Sequence, residues 1–302
     1  MDSEIVAVPT ETVYGLAANA LDPWAIEKIF IAKKRPKDNP LIVHIGVHDD
    51  IEKYAQNIPK TAYVLAKAFW PGPLTMILKK KSCIPDAVSA GQNTVGLRIP
   101  NHPLLQELLA LLPFPLAAPS ANQFMYVSPV NAEHVLWQLD GRIPYILDGG
   151  RCEHGIESTI ITFEGENPVL LRAGAIDSAM ITSALGNEVI DRTKQSHIKR
   201  AGMYQKHYSP HTPFFIGTYE EQGDRSPLTG YLTFSRVLDV PTSQQHQLSP
   251  SGDMTEAAHN LYYALHELDR RGFEKIIAEL LPDTGIGAAI NERLKKAANM
   301  RQ

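Results

Sequence analysis

Cysteine is scarce: Cys83 and Cys152 are the only two in 302 residues. That is too few for a disulfide scaffold or a four-cysteine zinc site, and it suits a reducing compartment. Long apolar runs are missing as well. The greasiest stretch, 104–118, is broken by Gln106, Glu107, Pro113 and Pro115, well short of the ~20 continuous apolar residues of a membrane span. A basic excess is absent too. Lysine and arginine total 29 against 33 acidic residues, for a net charge of -4, which disfavours bulk-charge binding of nucleic acid and makes any anion site local. The start carries Asp2 and Glu4 where a secretory signal carries base, so export is not expected and the cytoplasm is. The P-loop, the dinucleotide fingerprint, G-x-S-x-G and HExxH are all lacking. His44 with His48 and His207 with His211 have metal-pair spacing but fall outside the expected helices, so no side-chain metal site is expected.

What is present is alternation. Strand-type runs at 4–8, 40–45, 74–78, 95–99, 116–118, 145–147, 158–163 and 169–171 interleave with helix-type runs, which predicts an α/β sheet with helices packed on it. Asp22 followed by Pro23 marks one helix start, ended by Pro36. Ser128 followed by Pro129 predicts another, reaching Leu139. Asp177 and Gly186 bracket a third. Residues 191–212 mix base, glycine and proline without periodicity, as a linker does. Strands near 214–219, 231–234 and 275–280, with helices opened by Asp253 and Gly287, make 213–302 a smaller α/β domain after a first domain of 1–190. The helix opened by Asp253 is expected to bury Ala258, Leu261, Leu265 and Leu268.

The chemistry is dispersed among loops. Lys28, Lys33, Lys34, Arg35 and Lys37 crowd one helix end. Cations there complement the helix dipole without any ligand, but Pro36 halts the helix and directs Lys33 and Arg35 to the mouth of the next strand, where phosphate can bind. Pro119-Ser120-Ala121-Asn122 follows a short apolar strand, at a place where open α/β sheets bind ligands, although serine and asparagine also simply form turns. Asp148-Gly149-Gly150 and Gly155-Ile156-Glu157-Ser158-Thr159 set small residues beside strand ends. Arg98 and Arg172 sit on strands, where arginine is commonly solvated but can also fork a carboxylate or phosphate. His44, inside an apolar run, reads as a hydrogen-bonded core histidine. Nothing here supports a nucleophile, so no covalently modified side chain is expected.

Taken in order, six segments resemble the threonylcarbamoyl-AMP synthase family, the YrdC-like fold in its longer, two-domain form. They are Pro9-Thr10-Glu11-Thr12-Val13-Tyr14-Gly15-Leu16; Lys33-Lys34-Arg35-Pro36 with Asn39-Pro40-Leu41; Trp70-Pro71-Gly72-Pro73-Leu74-Thr75; Ala118 to Asn122; Asp148-Gly149-Gly150; and Gly155 to Ile160. Gly202-Met203, His207-Tyr208-Ser209-Pro210, Gly285-Ile286-Gly287 and Ala289-Ile290 resemble the longer members' second half. The resemblance implies an open twisted sheet with helices around a basic cleft, plus a smaller C-terminal α/β domain.

It also implies condensation of L-threonine, bicarbonate and ATP, with Mg2+, into threonylcarbamoyl-AMP and pyrophosphate. That product feeds the downstream tRNA threonylcarbamoyl transferase machinery. Lys33 and Arg35 would neutralise charge in catalysis. Thr12, His44, Arg98, Ala118 and Ser158 would hold threonine. Arg35, Asn39, Thr94, Ser120, Asn122, Ser128 and Arg172 would hold the nucleotide, with Tyr208 closing over it from the linker.

Three departures stand out. Members of the family carry some twenty residues before the first matched strand, so a weakened sheet edge is expected here. Phe124-Met125-Tyr126-Val127 replaces a Ser-Gly pair, and Ala201 replaces a proline, which is expected to loosen the lid. The alternative is a YrdC-like RNA-binding module without synthase activity, which the acidic total charge disfavours. A carbamoyl-transfer maturation enzyme shares the domain but needs cysteine-rich zinc fingers.

Overall fold

A computed structural model describes residues 3–193, 207–222 and 226–298. Ala201, Gly202 and Met203 lie outside the described residues. The strands are β1 (Val6–Val8), β2 (Gly15–Asn19), β3 (Ile42–His44), β4 (Leu74–Lys79), β5 (Thr94–Arg98), β6 (Leu116–Ala117), β7 (Tyr145–Ile146), β8 (Thr159–Glu164), β9 (Asn167–Arg172), β10 (Ile190–Asp191), β11 (Phe214–Ile216), β12 (Thr229–Thr233), β13 (Gln245–Gln247) and β14 (Lys275–Ala278). The first ten form one mixed sheet in the order β10-β9-β8-β4-β5-β3-β6-β2-β1-β7. The last four form a separate, all-parallel sheet in the order β11-β14-β12-β13.

Local chemistry explains the helix boundaries. Asp22 accepts from Trp24 N at 2.9 Å and Pro23 occupies the first turn of Pro23–Lys33, which Lys34 closes in the left-handed conformation. Asp177 caps Ser178–Leu185, and Gly186 ends it at φ 71°. Asp253 accepts from Glu256 N at 2.7 Å to open Met254–Asp269, whose Ala258, Leu261, Leu265 and Leu268 are all fully buried.

The helix expected from Ser128 instead spans Ala132–Leu139 and is capped by Asn131, which accepts from His134 N at 2.8 Å. Ser128 is otherwise engaged: its hydroxyl donates to Glu157 Oε1 at 2.6 Å. Three strands also escaped the sequence pattern. In β2, Gly-Leu-Ala-Ala-Asn is buried almost throughout, and small residues buried on both faces leave neither alternation nor β-branched side chains to recognise. β10 and β13, of two and three residues, are too short to show a period.

The two sheets share one continuous core. Tyr126 Oη donates to Asp269, Arg151 Nη2 reaches Asn260 Oδ1 at 2.7 Å, and Tyr262 Oη reaches Glu157 Oε2 at 2.8 Å. At Gly155, φ is 69° and a Cβ would stand 2.4 Å from His259 O and 2.6 Å from Ala258 O. Gly155→Ala should therefore lose more stability than the ~1–2 kcal/mol that a left-handed alanine costs, because the helix Met254–Asp269 must also move away. Calorimetric unfolding checks this; an unchanged Tm would contradict the close approach.

Candidate active site

β3 and β5 are parallel and in register, so His44 lies beside Arg98 and Ile42 beside Gly96. Ile42 and His44, two residues apart, face the same side of the sheet. The segment after β6 runs on between β3 and β2. Ala118 N donates to Ile42 O at 3.0 Å, Leu16 N to Pro119 O at 2.7 Å, and Ala121 N to Tyr14 O at 2.7 Å. The Pro119–Asn122 turn is thereby tied to the beginning of β2. A cavity enclosing about 530 Å³ of empty space, counted out to its mouth, opens there.

Of the residues anticipated from sequence, Thr12, Arg35, His44, Arg98, Ala118, Ser120, Ser158, Arg172 and Tyr208 line this single cavity. Its three arginines are 7%, 4% and 3% exposed for Arg35, Arg98 and Arg172, and each is oriented by backbone oxygens. Arg35 donates to Pro40 O at 3.1 Å and Asn39 O at 3.4 Å. Arg98 Nε donates at 3.2 Å to Gly72 O, in a turn with a cis Trp70–Pro71 bond, and its Nη2 donates to Thr12 Oγ1 at 3.0 Å. Behind it, Glu11 Oε1 lies 2.8 Å from Nη2 as an ion pair outside hydrogen-bond alignment. Arg172 donates from Nε to Ser158 O at 3.0 Å and from Nη2 to Ser158 Oγ at 3.2 Å, while that hydroxyl also shares a 2.8 Å bond with Thr75 Oγ1.

The other anticipated residues stand outside the cavity wall. Lys33, expected at a strand mouth, is only 1% exposed. Its Nζ donates to the carbonyls of Ser120 and Asn122 and, at 3.2 Å, to Asn122 Oδ1. Burial, and then the charge of Arg35, holds its pKa well below the usual lysine value. Asn122 also accepts from Ser120 Oγ and donates to Tyr126 O at 2.8 Å, so Lys33 and Asn122 brace the turn from beneath. Asn39 is completely buried, and neither side-chain amide atom has a partner among the described residues. Ser128 is the hydroxyl bound to Glu157. Thr94 pairs with Lys79 at the end of β5 away from Arg98.

Sequence reasoning missed Thr10, Val13, Gly15, Ile42, Pro119, Glu157 and His207, which complete the wall. Six of the seven, all but Ile42, stand in segments singled out for the resemblance, where the signal was present but no individual role could be read. Burial pushes the Glu157 carboxyl up, but the charges of Arg293 and Arg172 and bonds from Ser128 and Tyr262 outweigh it and leave a pKa of about 2. His44 is lowered to about 3 by burial and by Arg98, and His207 to about 3, chiefly by burial. Both imidazoles are neutral at pH 7. Tyr208, at φ 63° and 1% exposed, stacks on Tyr262 with ring centroids 5.5 Å apart. The cavity can thus seat anionic groups against three fixed guanidiniums beside neutral hydroxyl and imidazole groups. No cluster of three or more His, Cys, Asp or Glu suited to a metal ion occurs among the described residues, and Glu157 is already engaged, so the side chains do not fit a resident magnesium site.

Two family models divide the chain. One described as Telomere recombination (Sua5, YciO and YrdC) matches residues 2–174, and one described as Threonylcarbamoyl-AMP synthase, C-terminal domain, matches 176–299. Threonylcarbamoyl-AMP synthase of Bacillus subtilis (strain 168) is 41% identical over 317 residues, spanning 99% of this chain and 91% of that protein. The chain belongs to the threonylcarbamoyl-AMP synthase family. A Schizosaccharomyces pombe protein of that name is 34% identical over 348 residues, covering 98% of this chain and 85% of the relative. The crystal structure of Pyrococcus abyssi Sua5 complexed with L-threonine matches with a TM-score of 0.90 at 37% identity, over 99% of this chain and 91% of that one. The family's α/β architecture, a large mixed sheet with a smaller parallel-sheet domain, is the one described above. No helix among the described residues is long and apolar enough to cross a membrane.

The buried neutral histidines fix the sign of the acid response. Unfolded, His44 and His207 take up protons as pH falls through 6.5; folded, they resist until about 3. The unfolded chain binds more protons across that window, so stability should fall by about 2 kcal/mol per imidazole by pH 5. Below pH 4.5, Glu157 adds to the loss. A Tm that stays flat from pH 7 to 4 would contradict neutral burial.

Proposed function

We infer that this chain is a threonylcarbamoyl-AMP synthase that condenses L-threonine, bicarbonate and ATP into threonylcarbamoyl-AMP and pyrophosphate. The observation that carries this reading is the meeting of Arg35, Arg98 and Arg172, from three separate segments, in one cavity with Ser120 and Ser158. Threonine's carboxylate meets Arg98, held by Gly72 O and Thr12 and flanked by neutral His44. Threonine's ammonium gives its proton to bicarbonate, which breaks down to carbon dioxide and water; the freed amine bonds to that carbon dioxide and releases a second proton to solvent as the carbamate forms. A carbamate oxygen then forms a bond to the α-phosphorus of ATP as the bond to pyrophosphate breaks.

That step brings anion against anion, so its barrier depends on fixed positive charge already in place. Arg35 and Arg172, pre-oriented by carbonyl oxygens, supply it at the nucleotide. Lys33 acts one layer back, holding the Ser120–Asn122 turn in shape. Magnesium would come with ATP's phosphates and add positive charge there, since that ion keeps its waters and binds through substrate phosphates. Tyr208 covers the nucleotide. The mixed anhydride passes to the tRNA threonylcarbamoyl transferase machinery in the cytoplasm, where ATP and tRNA are both found. The RNA-binding alternative gains nothing from these arginines, which lie in a recess with at most 7% exposure rather than on a surface that a phosphate backbone can track.

Incubation with ATP, bicarbonate and labelled threonine should give the labelled mixed anhydride, and its absence would overturn the reading. Arg98→Lys, which loses the planar fork, should raise the threonine KM roughly ten- to hundredfold with the ATP KM within about threefold; an unaltered threonine KM would remove Arg98 from the amino-acid subsite. Arg35→Ala should lower kcat/KM about a hundredfold or more while Tm shifts by only a few degrees, and undiminished pyrophosphate release would reject its phosphate role.

A further inference from the structure

Arg293 lies on Ile286–Ala297, the last helix of the C-terminal domain, and its side chain is 1% exposed. Nε donates to Glu157 Oε2 at 3.3 Å, and Nη1 donates to Ala173 O at 2.7 Å and Ala289 O at 3.1 Å. Its Nη2 is buried with no acceptor among the described residues. Tyr262, from the other long helix of that domain, donates to the same Glu157 oxygen at 2.8 Å. Neither residue lines the cavity, but Glu157 does.

A buried ion pair is a poor device for stability alone, since well-packed apolar residues of similar volume commonly do as well or better. An orphaned donor makes it poorer still. What the pair does hold is the backbone at 157–158. The Glu157 side chain is anchored from the C-terminal domain and by Ser128. The adjoining Ser158 carbonyl and hydroxyl both receive Arg172, and the hydroxyl also meets Thr75. The 157–158 peptide therefore transmits position from the second domain to one of the three cavity arginines. Tyr208 is held in the same layer, stacked on Tyr262 and 6.0 Å from the Arg293 guanidinium carbon.

We propose that Arg293 and Tyr262 are positioning residues for the adenylation step: acting through Glu157, they fix Ser158 and Arg172 in the cavity wall and make the C-terminal domain a working part of the synthase site. This rests on the function inferred above. The groups facing Glu157 are Arg293 and Tyr262 from the C-terminal helices, Arg172 from β9, Ser128, and His207 and Tyr208 from the linker.

The test measures threonine- and bicarbonate-dependent pyrophosphate release, with Tm, on the full chain and on Tyr262→Phe, Arg293→Met, Glu157→Gln and the double Arg293→Met/Glu157→Gln. Tyr262→Phe, which keeps the ring and loses one bond, should raise the ATP KM roughly three- to tenfold with Tm nearly unchanged. Arg293→Met should raise it about tenfold or more in the wild-type background but less than about twofold once Glu157 is Gln, the non-additivity expected of residues acting in series. The double variant removes both charges of the Glu157–Arg293 pair and leaves Glu292 with Lys296, so it should recover much of the Tm without recovering the ATP KM. If Tyr262→Phe and the double variant both show wild-type KM and kcat, the proposal is wrong. Should Arg293→Met fail to fold, those two variants decide alone, and if the double fails as well, Tyr262→Phe decides. A wild-type chain that releases no pyrophosphate sinks the function and this proposal together, whereas an active wild type with unaltered variants sinks only this one.

Discussion

Three nearly buried guanidinium groups line one recess, and keeping their charge there without water around it is the constraint on which the surrounding structure depends. Buried charge is tolerated only where partners replace water. Here the partners are chiefly main-chain oxygens at Asn39, Pro40, Gly72 and Ser158, which orient a guanidinium without cancelling its charge. The two nearby carboxylates are used sparingly. Glu11 sits behind Arg98, and Glu157 is shared among Arg293, Tyr262 and Ser128. A cavity whose arginines were each fully ion-paired would have no field left for an anionic substrate. One built on carbonyls keeps that field and fixes its direction in advance.

The mixed pairing of the sheet sets where these groups stand. Parallel pairing of β3 with β5 sets His44 against Arg98, while the antiparallel run of β6 between β3 and β2 brings the serine-asparagine turn to the start of β2. Lys33 then secures the turn from below. A lysine stripped of water ranks among the costlier components of a protein interior, and its burial beneath the turn shows how firmly that backbone must be held.

Much of this was legible in the sequence, for identifiable reasons. Helix ends carried by Asp22-Pro23, Asp177 with Gly186, and Asp253 with Glu256 follow from local hydrogen bonding, and the structure repeats them. The bunching of cations at 28–37 against Pro36 pointed to Arg35. Expectations failed where a side chain was claimed by a distant partner. Ser128 looks like a helix cap until Glu157, 29 residues away, takes its hydroxyl. Lys33 looks like a surface cation until the turn at Ser120–Asn122 folds over it. β2 is invisible because alanine and glycine buried on both faces leave no alternation. The link from Arg293 to Glu157 spans 136 residues and no local pattern hints at it.

The segment at 207–212 joins these themes. His207 N is bonded to Lys296 O at 3.2 Å and Ser209 Oγ to Ala297 O at 3.0 Å on one side; Ser209 N is bonded to Met125 O at 2.9 Å on the other. Asp269 grips it again through the amides of His211 and Thr212 while receiving Tyr126 Oη. A strap stitched to both lobes cannot swing clear of the recess unless the bonds of one seam break.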